Sequence, residues 1–214
     1  MQSRREFLQR LAASAAVMAL DPLQGISAAT SVYRNARLGL TVRLPEGWEF
    51  SSIADFAALR ERQVLQDAID SLGGSPHPLK DPSNLPVFLF EDPRHRDGEF
   101  APAIILYDEP LWARPPANEA TAHTRMLRGL GRSYRDLRVI DPPRPLALGA
   151  VPATRSRFSY LHEIDSGKAV PLEVRTLLVF RAPRVHTYYL VDSAPSPCIS
   201  PEVWEEFIAS IQYA

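Results

Sequence analysis

Cysteine is nearly absent from this chain. Cys198 is the only one in 214 residues, so no intrachain disulfide can form even in an oxidising compartment. Lysine is almost as scarce: Lys80 and Lys168 are the only two among 24 basic residues, and arginine supplies the rest. That skew reads as a genomic composition bias rather than a device for binding anions. The 24 basic residues face 25 acidic ones, a formal net charge of −1. A near-neutral chain exerts no long-range pull on phosphate backbones, which argues against nucleic acid as a partner. Sequence signatures of chemistry are missing too. There is no Gly-x-Ser-x-Gly elbow, no phosphate-cradling Gly-x-x-x-x-Gly-Lys loop, no Gly-x-Gly-x-x-Gly, no Cys-x-x-Cys and no pair of histidines at i, i+4. Gly129-Leu130-Gly131 falls inside or at the end of an expected helix.

What is present is an ordinary folded composition, 45% hydrophobic and 23% charged, behind an N-terminus of a different kind. Arg4, Arg5 and Arg10 precede an apolar stretch from Leu11 to Leu20, and Ser27-Ala28-Ala29 supplies small residues for cleavage after Ala29. The apolar stretch is about half the length that a bilayer-spanning helix needs, so the reading is an export signal and not a permanent membrane anchor. No cysteine lies near the cleavage region to take lipid, and no later run of 18 consecutive apolar residues exists. Ser3-Arg4-Arg5-x-Phe7-Leu8 resembles the twin-arginine consensus, which implies the twin-arginine translocase as a partner during export, passage in a folded state, and a periplasmic destination. The expected organisation is a signal over 1–29 and a single α+β domain over 30–214. The leader takes three arginines and two acids with it, leaving a formal charge of −2.

Within the domain, 30–36 reads as a lead-in. Leu38, Leu40, Val42 and Leu44 alternate with Gly39, Thr41 and Arg43, the period of a half-buried strand. Pro45-Glu46-Gly47 turns the chain, and Trp48-Glu49-Phe50 is expected to return as the other arm of a hairpin. A helix is expected over 53–72, capped at Ser52 and stopped by Gly73-Gly74, followed by a proline-rich loop to Asn84. Strands at 85–90 and 101–107 should form a hairpin around Asp97-Gly98. A helix over 119–134 should bury Ala120, Thr124, Leu127, Gly131 and Tyr134, helped by Met126 and Leu130. Prolines 142, 143 and 145 should confine the next strand to 146–148. Strands at 151–164, 170–180 and 185–191 then form an antiparallel meander, and a last helix, starting at Pro201 after Ser200, buries Val203, Trp204, Phe207, Ile208 and Ile211. Strand runs punctuated by few helices indicate an antiparallel sheet with helices packed on its faces.

The opening Tyr33 … Leu40-Thr41-Val42-Arg43-Leu44-Pro45-Glu46-Gly47-Trp48 resembles the strand, Pro-x-Gly-Trp, strand start of PsbP-like proteins, and the later order of elements is similar to theirs. The resemblance implies an α/β/α sandwich and an accessory or binding role. It carries over no catalytic residue, because the group shares no catalytic motif, and it calls for no cofactor.

The candidate site residues lie late in the chain. Phe158 and Tyr160 should face one way and Arg155, Arg157 and Ser159 the other. If Arg155, Arg157 and Arg175 share an outer sheet face, with Tyr160 beside them, they suit an acidic partner or anionic ligand, since arginine forks match carboxylates. The bland reading of the same residues is an open face kept soluble. His162 and His186 are the candidate metal pair if they approach across the sheet, and His95 sits among arginines at a hairpin tip. Glu91, Asp92, Asp108 and Glu109 form a carboxylate group near two strand ends. A periplasmic accessory or binding protein, taking an envelope protein or a small ligand, is the first functional reading. A hydrolase built on a carboxylate and histidine cluster is the alternative.

Overall fold

The computed structural model describes residues 31–50, 86–95, 102–110, 118–132, 134–163, 169–194, 197 and 199–214. The expected leader, the helix at 53–72 with its proline-rich loop, the Asp97-Gly98 turn and Cys198 lie outside them.

Two antiparallel sheets carry the described chain. The small one has the order β1-β2-β10, from Val32–Asn35, Leu40–Arg43 and Gln212–Tyr213. The large one runs β3-β4-β5-β9-β8-β7-β6. Its strands are β3 (Glu49–Phe50), β4 (Phe88–Glu91), β5 (Ala103–Pro110), β6 (Arg135–Leu148), β7 (Val151–Glu163), β8 (Ala169–Arg181) and β9 (Arg184–Ser193). Helix α1 (Glu119–Leu130) packs on one face of the large sheet, and α2 (Pro201–Ser210) lies against the other. The expected α+β architecture, an antiparallel sheet with helices on its faces, is the observed one. No helix among the described residues is long and apolar enough to cross a membrane.

Because both faces are covered, the central strands bury residues of both parities. On β5, Ile104 and Leu106 join the α2-side core, while Ile105 and Tyr107 join the α1-side core. That is why 103–107 reads as an unbroken apolar run rather than an alternation. The α2-side core holds Trp204, Phe207 and Ile208 of the helix against Phe90, Leu177, Tyr188 and Leu190. Each such fully buried side chain contributes about 1.5 to 3 kcal/mol through its burial.

The meander of β7, β8 and β9 matches the sequence reading. Three other expectations change. The lead-in contains β1, and β2 pairs with β1 and β10, not with the strand after the turn. Past Pro45-Glu46-Gly47 the chain crosses to the large sheet, where Phe50 pairs with Phe90 and packs edge-on against its ring. Phe50 packs on Phe90 of the large sheet and on Tyr33 of the small one, so it bridges the two sheets instead of closing a local hairpin. Second, Pro142, Pro143 and Pro145 do not delay the strand: β6 runs through all three as the sheet's edge, with Pro142 and Pro143 in an irregular stretch between the Asp141 and Arg144 pairs, where proline is tolerated. Third, α1 ends at Leu130 and buries Ala122, His123, Leu127 and Leu130. Leu127 of the expected stripe and Leu130 beside it are among them, whereas Ala122 and His123 lie outside the expected face.

Gly39 sits at φ +57°, and a Cβ there would meet the Ala214 carbonyl oxygen at 3.2 Å. That oxygen belongs to the segment pinned by the Ala214 N–H to Gly39 carbonyl bond of 2.8 Å. Gly39→Ala is expected to lose about 1 to 2 kcal/mol, the cost of left-handed backbone with a side chain, measured by urea denaturation. A neutral result would show that the β2–β10 closure is loose.

Candidate arginine cleft

The pleat of β7 sends Thr154, Ser156, Phe158 and Tyr160 toward α1 and leaves Arg155 and Arg157 on the α2 side. Register then assembles the group. Arg157 stands directly opposite Arg175 of β8 and Asp141 of β6, and Arg155 stands opposite Arg144 of β6. Like charges facing one another across strands are destabilising, and here acids separate them. Arg157 Nε donates to Asp141 Oδ2 at 2.8 Å, and its Nη1 reaches Glu173 Oε1 at 3.5 Å. Arg175 Nε shares that Glu173 oxygen, also at 3.5 Å. From α2, Glu205 accepts from Arg155 Nη1 through both oxygens, at 2.8 and 3.1 Å. Burial works against the charge on Arg157, but Glu173 and Asp141 outweigh it and hold its pKa above the ordinary value.

Trp204 and Pro201 of α2 close one side and Pro142 of β6 the other, leaving an open cavity of about 260 Å³. Arg144 is exposed at its mouth. The structure thus brings Arg155, Arg157 and Arg175 together on one face: the alternation of 151–164 puts the first two on one side, and the β7–β8 register adds Arg175.

Tyr160 is not part of that group. It faces α1, buried, with its ring centroid 4.2 Å from that of Tyr134, and burial pushes its phenol well above the usual range. The histidine pair is not assembled either. His186 is level with Ala153 through Val179, on the α2 side, whereas His162 lies at the far end of β7 beside Tyr160. They are separated by the thickness of the sheet and by roughly 30 Å along the strand. Among the described residues no three His, Cys, Asp or Glu side chains gather into a set that could hold a metal ion. The carboxylates divide as well. Glu91 pairs with Ala103 at one end of β5, and Asp108 and Glu109 sit at the other. Asp92 is tied to Arg94 at 2.7 Å and Asp108 to Arg184 at 2.7 Å. His95 ends a 3-10 turn, Pro93–His95.

Two polar arrays in the structure were not anticipated. His186 accepts or donates to Tyr213 through Nδ1 at 2.8 Å, stands 3.5 Å from Asp108, and leads on to Tyr188, whose hydroxyl is 2.7 Å from that of Tyr213. Arg181 covers the Tyr213 ring and bonds to the Leu38 carbonyl. Under α1, His123 Nδ1 meets Thr154 Oγ1 at 2.9 Å, and Nε2 meets both Thr176 Oγ1 and Ser156 Oγ at 2.9 Å. Ser156 and His123 have the spacing of a nucleophile and its base. Yet they are 6% and 0% exposed, and the second ring nitrogen meets a hydroxyl instead of a carboxylate. Both arrays close up the core.

No protein-family model matches the sequence, and no curated protein does. Solved structures do. Cyanobacterial PsbP (CyanoP) from Synechocystis aligns with a TM-score of 0.53 at 10% identity, covering 86% of this chain and 91% of that one. The fold is PsbP-like. A Pseudomonas aeruginosa protein of unknown function aligns at 0.48 and 12% identity, over 59% of this chain and 81% of that one. LpqN, involved in cell envelope biogenesis of Mycobacterium tuberculosis, aligns at 0.45 and 10% identity, over 81% and 82%. At such identities the PsbP-like likeness extends to the fold and not to site residues.

Proposed function

We propose that this is an exported accessory protein of the periplasm, one folded domain that recognises a partner at the arginine cleft and carries out no chemistry there. One observation carries the reading: two adjacent strands bring Arg155, Arg157 and Arg175 to one face, beside an exposed Arg144 on a third strand and a tryptophan wall. Arginine and tryptophan are the residues that most often dominate binding surfaces. Among the described residues, the serine and imidazole that have the spacing of a nucleophile and its base lie sealed beneath α1, which supports binding over catalysis. The leader motif supports the setting, through the twin-arginine translocase and cleavage after Ala29.

The test is purification of the processed protein from its own envelope, beside an Arg157→Glu, Arg175→Glu variant. The expected mature N-terminus is Thr30. An envelope protein should co-purify with the wild type and fall at least about tenfold with the variant, as loss of a central anchor implies, with the far-UV spectrum unchanged. Equal recovery by both, or turnover of ester substrates by the protein alone, would end this reading.

A further inference from the structure

We infer that the cleft takes the carboxylates of an acidic polypeptide segment, and that Glu205 is an internal stand-in which the segment displaces. The inference rests on the binding reading above and gives it a chemistry. The cavity, about 260 Å³, is below the roughly 300 to 1,000 Å³ of sites that engulf a small-molecule ligand. It accommodates a side-chain carboxylate whose main chain stays outside. The cleft's outer wall is the edge strand β6, where Pro142 is exposed at the cavity and Ile140 (42%) is exposed two residues before it in an irregular stretch of the strand, whereas Val139 pairs with Phe158 on the α1 side. Acidic residues set among apolar ones in an extended segment match that arrangement, and a free dicarboxylate would leave the apolar ground unused.

Charge points the same way. Arg144, Arg155, Arg157 and Arg175 face Asp141, Glu173 and Glu205, and Glu202 of α2 lies close enough to Arg175 to interact with its charge, so the cleft is nearly balanced by its own acids. Among the described residues Arg144 has no acidic partner. A cleft so nearly balanced gains a place for an incoming carboxylate where one of its own acids gives way, and it gives no hold on a polyphosphate chain. The ion pair of Arg155 with Glu205 is the exchangeable one. Its side chains remain 43% and 59% exposed, and such pairs are worth little in water. Asp141 and Glu173, in contrast, lie on the sheet and separate guanidinium groups that would otherwise repel.

The test titrates full-length mature protein with a blocked decapeptide alternating Glu and Val, with its Gln-for-Glu counterpart, and with glutarate, following anisotropy or Trp204 fluorescence. The acidic peptide should bind, more weakly as salt rises. Glu205→Gln should tighten it about fivefold, the exchange value of an exposed pair, and Arg155→Gln should weaken it about tenfold. The Gln peptide should not bind. Unchanged or weaker binding by Glu205→Gln would overturn the stand-in while leaving partner recognition intact. Binding of glutarate as tight as that of the peptide would overturn the polypeptide assignment. Absence of any acidic-peptide binding would overturn the carboxylate chemistry, and envelope co-purification would then decide separately whether the accessory reading survives.

Discussion

Lowering the pH from 7 to 4 is expected to remove about 3 kcal/mol of folding stability through one imidazole, that of His123. The ring is fully buried between α1 and the β7 and β8 strands. Burial lowers its pKa from 6.5 to about 4. A neutral ring satisfies the four-member set, since one nitrogen donates and the other accepts a hydroxyl proton. Thr154, Ser156 and Thr176 offer hydroxyls and no negative charge to an imidazolium. The unfolded chain binds the proton at its ordinary pKa, so it gains protons that the fold refuses. Stability is therefore whole above pH 6.5, falls as pH drops toward 4, and levels off below that. The gap of two to three pKa values corresponds to about 3 kcal/mol, a large part of the roughly 5 to 15 kcal/mol that holds a domain together. Burial also lowers His186 to about 4, so the wild-type curve alone overstates His123. The clean measurement is the stability difference between wild type and His123→Gln. It should shrink by about 3 kcal/mol between pH 7 and pH 4, and a difference that stays constant would refute the assignment.

That network also marks where the sequence stopped being legible. A helix at 119–130 with Asn118 as its cap could be read, and the cap bond to the Thr121 N–H is there at 2.8 Å. Its buried face could not. Apolar periodicity favours Ala120 and Thr124, but three hydroxyls on β7 and β8 turn His123 inward, and hydroxyls on distant strands leave no mark on a helical wheel. The α2 face was readable because it is purely apolar: Trp204, Phe207, Ile208 and Ile211 are all buried. The small sheet was hidden for a third reason. The partners of β2 are a four-residue strand just before it and a two-residue strand at Gln212–Tyr213, both too short to show a period.

The cleft divides in the same manner. Arg155 and Arg157 follow from alternation, because parity within one strand is local information, whereas Arg175 joins them only through the β7–β8 register. Tyr160 fails by that same parity: it shares the face of Phe158, opposite to the arginines. Asp141, Arg144 and Glu205 depend on register and docking. Asp141 and Arg144 lie in a proline-rich stretch that reads as loop until the strand is known to be an edge. Glu205 reaches Arg155 across 50 residues of sequence, a distance no local pattern spans.

Phe207→Ala is expected to cost the fold about 3 to 5 kcal/mol, the usual toll for emptying a buried phenylalanine site. Phe207 is 1% exposed. Its ring lies 5.7 Å from Trp204, 5.9 Å from Tyr188 and 6.3 Å from Phe90 by centroids, so it joins the helix to β9 and β4 together. The three surrounding aromatic rings cannot collapse into the void without leaving their rotamers, which places the cost toward the upper end of that range. Phe207→Leu, which keeps most of the volume, should cost about 1.5 kcal/mol or less. Urea denaturation of the two variants checks both figures. The consequence for the cleft follows from position, since Trp204 and Glu205 ride on the same helix. If Phe207 anchors α2, the alanine variant should blunt the response of acidic-peptide binding to Glu205→Gln even where the protein remains folded, because the stand-in carboxylate is no longer held against Arg155. A loss below about 1 kcal/mol, within the range of surface substitutions and not core ones, together with an unaltered Glu205 response, would mean that α2 is held by other contacts and that the aromatic cluster does not set the geometry of the cleft.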